Sequence, residues 1–83
     1  MIEVKFFARL REQLNQDSMS VAYREGMSVS ELIQELRKAV PEFEKYLAQG
    51  FDLLCAVNQT MVDKSQLLND GDEVALFPPV TGG

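Results

Sequence analysis

Apolar and polar residues alternate at the start of the chain, with Ile2, Val4, Phe6 and Ala8 on one parity and Glu3, Lys5, Phe7 and Arg9 on the other. A period of two marks a strand with one buried face, and Phe7 is the aromatic on its polar side. The period then lengthens. Leu10 and Leu14 stand four apart among charged and amide residues, which predicts a short helix; Asn15 to Asp17 reads as a turn and Ser18 to Tyr23 as a second strand. Ser28 and Glu31 form an S-x-x-E capping box, with Met27 and Leu32 at the hydrophobic-staple positions around it. Val29, Leu32, Ile33, Leu36 and Val40 repeat at helical spacing up to Pro41, which disfavours the α conformation in the residue before it. Pro41 opens a shorter helix at its first position, with Phe43, Tyr46 and Leu47 on one face and Gly50 as its cap. Phe51 to Val57 reads as a strand, Asn58-Gln59 as a tight turn and Thr60 to Val62 as a short return strand. After the turn signal Asn69-Asp70-Gly71, Asp72 to Phe77 is the last strand, ended by Pro78-Pro79.

Two strands, a long and a short helix, and three further strands do not make a Rossmann unit, which needs repeated strand-helix alternation and a glycine-rich phosphate loop. A mixed sheet packed on one main helix fits the order. With the first and last strands side by side in the sheet centre and the helix crossing one face, the fold is α+β, a β-grasp or ubiquitin-like arrangement. The expected organisation is one domain over residues 1–77 and a flexible, extended C-terminal tail over 78–83.

Composition narrows the chemistry. At 83 residues the chain is a single small domain with a thin core. No apolar run approaches the ~20 residues that cross a bilayer, and the N-terminus shows no basic leader before an apolar stretch; the expectation is a cytoplasmic protein with no membrane partner. The net charge of −5, without a Lys/Arg cluster, argues against nucleic acid and suits a basic protein surface. There is no histidine and one cysteine, Cys55, so a metal centre, an iron–sulfur cluster and a disulfide are all poorly provided for. Cys55 shares parity with Leu53 and Val57 and is expected in the core. Asp70, Asp72 and Glu73 surround Gly71 and read as a solvated turn rather than an acid–base pair.

What remains is the C-terminus. Pro78-Pro79 donates no backbone hydrogen bond and favours an extended polyproline conformation, so the chain is expected to leave the sheet there. At ~3.1 to 3.5 Å per residue, Pro78 to Gly83 reaches roughly 20 Å, enough to enter another protein's active site. Gly82 and Gly83, lacking Cβ, pass a narrow channel and let a reactant approach the terminal carbonyl. Ionised at neutral pH, with a reference pKa of about 3.5, the carboxylate resists nucleophiles and needs activation, for example as an acyl adenylate.

The stretches Phe6-Phe7-Ala8-Arg9-Leu10-Arg11-Glu12, Ala56-Val57-Asn58-Gln59-Thr60 and, above all, Asp70 to Gly83 with its Pro-Pro-Val-Thr-Gly-Gly ending resemble the small, sulfur-carrier subunits of molybdopterin synthase. The resemblance runs the length of the chain; Asp17 to Gly50 matches mainly in layout. It implies a cycle in which an ATP-dependent, E1-like enzyme adenylates Gly83 and sulfur from a donor protein replaces the adenylate as a thiocarboxylate. ATP is consumed by that enzyme, and no cofactor is bound permanently. The carrier then docks on the large synthase subunit, in a heterotetramer of two small and two large chains, and gives its sulfur to a pyranopterin precursor to build the molybdopterin dithiolene. In that scheme the catalytic groups belong to the large subunit, and Pro78, Pro79, Val80, Thr81 and Gly82 are contacts to the partner.

Alternation places Phe7 with Glu3 and Lys5, and Phe77 with Glu73. On adjacent central strands both aromatics lie opposite the helix as a docking patch, which Met61 extends. The competing reading is that the three merely cover the sheet's second face, and burial of all three would remove the patch. Rival functions are the thiamine-pathway sulfur carrier, a ubiquitin-like protein modifier, and an interaction domain with a passive tail.

Overall fold

In a computed structural model of the chain the described residues are 1–79. Eight elements follow in order: β1 (Ile2–Phe6), α1 (Ala8–Leu14), β2 (Ser18–Val21), α2 (Val29–Ala39), α3 (Pro41–Ala48), β3 (Leu54–Val57), β4 (Thr60–Val62) and β5 (Glu73–Phe77). The strands form one sheet in the order β2-β1-β5-β3-β4. Only the central pair, β1 and β5, is parallel, with Val4 opposite Val74 and Phe6 opposite Leu76; the other pairs are antiparallel. This is the mixed ubiquitin-like sheet expected from the element order.

The first strand is shorter than its alternation suggests. Phe7 keeps an extended backbone, but Ala8 takes a left-handed φ of 53° and opens α1, so Ala8 is exposed rather than the next core residue. A single residue in that region breaks the two-residue period, and nothing in an alanine side chain announces it. The second strand ends at Val21 and the third begins only at Leu54, leaving Tyr23 and Phe51 outside the sheet. Asn58 and Gln59 both have positive φ, the conformation a two-residue hairpin loop requires, and Val57 faces Thr60 across it.

The long helix begins where its capping box places it. The Glu31 amide donates to the Ser28 hydroxyl at 3.2 Å, and the Ser28 amide to the Glu31 carboxylate at 3.4 Å. The two remaining first-turn amides are satisfied from the far side of the chain, Val29 N–H by the Gln66 carbonyl (2.9 Å) and Ser30 N–H by that of Lys64 (2.8 Å). Val29, Leu32, Ile33 and Leu36 are buried along one stripe of α2. They share one apolar core with Ile2, Val4, Phe6, Cys55, Val74 and Leu76 of the sheet, Leu10 and Leu14 of α1, and Phe43 and Tyr46 of α3. Each fully buried aliphatic side chain of this kind contributes about 1.5–3 kcal/mol.

One expectation is overturned in the turn before β5. Asp72 is not solvated: it is only 8% exposed, and its carboxylate accepts from the Asn58 side-chain amide (2.9 Å) and the Asn69 backbone amide (2.8 Å). The Asn58 carbonyl oxygen in turn accepts from the Glu73 amide at 3.0 Å, so Asp72 ties the β3–β4 hairpin turn to the start of β5. A carboxylate is tolerated there because hydrogen bonds replace its water.

Candidate functional site

The strand registers decide which side chains meet on the sheet face away from α2. Lys5 stands opposite Ser18 and Ala75, Ala75 opposite Ala56, and Ala56 opposite Met61, which makes one row across all five strands. The neighbouring row joins Phe77 to Leu54. Carrying the β1–β5 register one residue past Phe6 and Leu76 sets Phe7 beside Phe77, because Phe7 retains an extended backbone (φ −131°, ψ 159°). None of Phe7, Leu54, Met61, Ala75 and Phe77 belongs to the core cluster.

Phe7 is 43% exposed and Met61 56%, while Phe77 is partly buried. The three are not all buried, so the condition that would have removed the patch is not met. Its floor is low, because Ala56 and Ala75 lie between the aromatic row and Met61 at the sheet edge. Beside it, Lys5 and Glu73 pair across β1 and β5 at 3.6 Å and supply a charged rim. Large apolar side chains around a shallow floor with a polar margin are the anatomy of a protein interface. Leu54, Ala56 and Ala75 were missed as members of the patch. The parity that sends Cys55 inward already points Leu54 and Ala56 outward.

Little in the described domain suits covalent catalysis. Cys55 is buried, burial pushes its thiol pKa up, and its Sγ lies 3.3 Å from the Val62 carbonyl oxygen, so it behaves as a core residue. Among the described residues no group of acidic or thiol side chains is arranged to hold a metal ion, and no helix is long and apolar enough to cross a membrane.

Beyond Phe77, Pro78 and Pro79 are partly buried and line a cavity of about 420 Å³ together with Ala8, Arg9, Tyr46, Gly50, Phe51 and Asp52. The expected contacts Val80, Thr81 and Gly82, and Gly83, the expected sulfur-bearing residue, lie outside the described residues. What the structure shows is an exposed apolar face beside the end of the central strand β5.

Comparison with known proteins settles the family. The model of the ThiS family matches residues 4–83. The chain belongs to the ThiS family. Within it the chain is similar to the molybdopterin synthase sulfur carrier subunit of Escherichia coli, 46% identical over 83 residues that cover all of both chains. The relative of the same description from Haemophilus influenzae is 36% identical over 84 residues, again covering both chains completely. Among solved structures, SAMP1 from Haloferax volcanii superposes with a TM-score of 0.83 at 28% identity, covering 99% of this chain and 98% of that one. A protein–protein complex of subunits 1 and 2 of molybdopterin-converting factor from Helicobacter pylori contains a chain with a TM-score of 0.70 at 25% identity, with 99% and 97% covered. The family resemblance read from the Pro-Pro-Val-Thr-Gly-Gly ending and the β-grasp expectation are both borne out.

Proposed function

We propose that this chain is the sulfur-carrier subunit of a molybdopterin synthase and that Gly83 bears the sulfur. The observation that carries the proposal is the end-to-end match to relatives of that description, combined with an exposed apolar face beside the root of the Gly-Gly tail. The complex of subunits 1 and 2 from the Helicobacter pylori factor supports a large-subunit partner for a chain of this fold.

The chemistry follows from the carboxylate. Its resonance-stabilised anion accepts no sulfur nucleophile directly, so an E1-like enzyme transfers AMP from ATP to a Gly83 oxygen and releases pyrophosphate. Sulfide-level sulfur from a donor protein then attacks the acyl carbon and expels AMP, leaving a thiocarboxylate. On the large subunit that sulfur passes to the pyranopterin precursor, in a complex of two small and two large chains. This chain contributes docking, reach and the reacting atom, and its partners contribute the catalytic groups. The acidic surface, with a net charge of −5, suits a basic docking site.

Intact mass spectrometry after incubation with the activating enzyme, ATP and a sulfur donor tests the reading: one oxygen of Gly83 is replaced by sulfur. Supplying the large subunit and the pterin precursor then yields dithiolene product, which separates the molybdenum pathway from the thiamine one. Deleting Gly83 abolishes sulfur transfer while folding and docking persist; unchanged product formation would sink the proposal. The likeness to the small archaeal modifier protein 1 of H. volcanii gives protein conjugation a place as the alternative outcome, recognised by an isopeptide bond from Gly83 to a target lysine.

A further inference from the structure

The root of the tail is not free. Phe51, just after α3, packs against two neighbours: the Tyr46 ring lies 5.1 Å away, tilted by 37°, and the Arg9 guanidinium carbon sits 5.1 Å from its centroid. Both distances are in the attractive range for aromatic pairs and for a cation over a ring. Tyr46 is fully buried, which anchors the stack in the core, and Phe51 is 36% exposed at the outer end. Pro78 and Pro79 line the same cavity as these three side chains, as does Ala8 with its left-handed backbone. The cavity thus gathers the start of α1, the end of α3, the segment before β3 and the first two residues after β5.

We propose that Arg9, Tyr46 and Phe51 form a bracket that sets the direction in which the chain leaves β5, so that they are positioning residues for the reaction at Gly83. Proline has a fixed φ and no amide donor, so Pro78 and Pro79 cannot be oriented by backbone hydrogen bonds from their own nitrogens. Their carbonyls can still accept, but with the donors gone, packing against the side chains that line the same cavity carries more of the task of aiming them. The bracket lies on the α1–α3 side of the exit and the Phe7–Phe77–Met61 patch on the outer sheet face, which separates aiming the tail from docking the domain. A reactive end four residues beyond Pro79 gains from such aim, since small misplacement at a reacting centre costs large factors in rate, and an ordered root lowers the entropy lost when the tail is threaded.

The inference rests on the sulfur-carrier reading, and its test separates the two. The variant is Phe51→Ala in the full chain, with Phe51→Tyr as the conservative partner; thermal denaturation verifies that both fold. In complexes with the large subunit, single-turnover sulfur transfer from thiocarboxylated Phe51→Ala falls about tenfold, Phe51→Tyr retains most of the rate, and the dissociation constant for the large subunit stays within about twofold. Independently of any activity, ¹³Cα relaxation of Pro79 reports greater mobility in Phe51→Ala than in the parent chain. An unchanged Pro79 would overturn the bracket whatever the rates. A more mobile Pro79 with an unchanged transfer rate would overturn the positioning role. If the parent chain transfers no sulfur at all, the carrier reading fails, and with it the role at Gly83, while the Pro79 measurement still decides whether the bracket orders the root.

Discussion

Asp72→Ala is expected to be the most damaging change at a polar position of the described domain. Its carboxylate holds the Asn58 side-chain amide at 2.9 Å and the Asn69 backbone amide at 2.8 Å with only 8% of the residue exposed. Its backbone carbonyl, which the substitution keeps, accepts from the Glu3 amide at 3.0 Å and fixes the start of β5 against β1, so the loss comes from the side chain alone. Hydrogen bonds to a charged group are worth about 1.5–3 kcal/mol each, and the donors left behind are partly desolvated. Because Asn58 sits at a hairpin turn and regains some water, the combined loss is about 3 kcal/mol, a large share of the ~5–15 kcal/mol by which a domain of this kind is stable. At roughly 4–8 °C per kcal/mol the melting temperature falls by about 12–24 °C. Asp72→Asn, which keeps the shape and one acceptor oxygen, loses about half as much. Urea unfolding followed by circular dichroism measures both, with m unchanged if the native fold is kept. A loss below about 1 kcal/mol for Asp72→Ala would show that the carboxylate does not join the two turns.

Two further outcomes follow from exposed groups. Phe7 is 43% exposed; with about 200 Å² of side-chain area and about 25 cal/mol per Å², covering it stabilises a complex by about 2 kcal/mol, so Phe7→Ala weakens titration calorimetry binding to the large subunit about thirtyfold and barely changes the melting temperature. Equal affinity for the two chains would remove Phe7 from the interface. The Arg37 guanidinium, hydrogen-bonded to Glu44, holds the Glu44 carboxyl below its ordinary value. A carboxyl whose pKa is lower folded than unfolded adds stability above the unfolded pKa and loses it as pH falls through the folded one. Glu44→Gln is therefore less stable than the parent at neutral pH, and the gap closes on acidification through the range below the ordinary carboxylate pKa; a gap independent of pH would contradict the pairing.

Much of the fold was legible because its signals are local. The Ser28–Glu31 capping box, the stripe Val29, Leu32, Ile33 and Leu36, the stop at Pro41 and the Asn58-Gln59 turn each depend on residues within a few positions of one another, and each is found where the sequence places it. The outward parity of Phe7 and Phe77 was legible for the same reason, since a strand alternates whatever lies next to it. Family membership was readable in the Pro-Pro-Val-Thr-Gly-Gly ending.

What the tertiary structure decided involves partners distant in the chain. Ala8 leaves the strand pattern in a left-handed conformation, which no short-range pattern of apolar residues encodes. Asp72 looks like a solvated turn residue until Asn58, 14 positions earlier, is brought against it. The first-turn amides of α2 find the carbonyls of Lys64 and Gln66 only once the chain has returned past the helix. Phe51 reads as a strand residue and becomes the outer layer of a stack with Tyr46 and Arg9 at the root of the tail. Local period and turn chemistry thus determined the elements and their faces, because those preferences act within a turn or two of backbone. The packing of β1 beside β5, some 70 positions apart in sequence, determined which exposed side chains share a surface and which gather where the chain leaves β5.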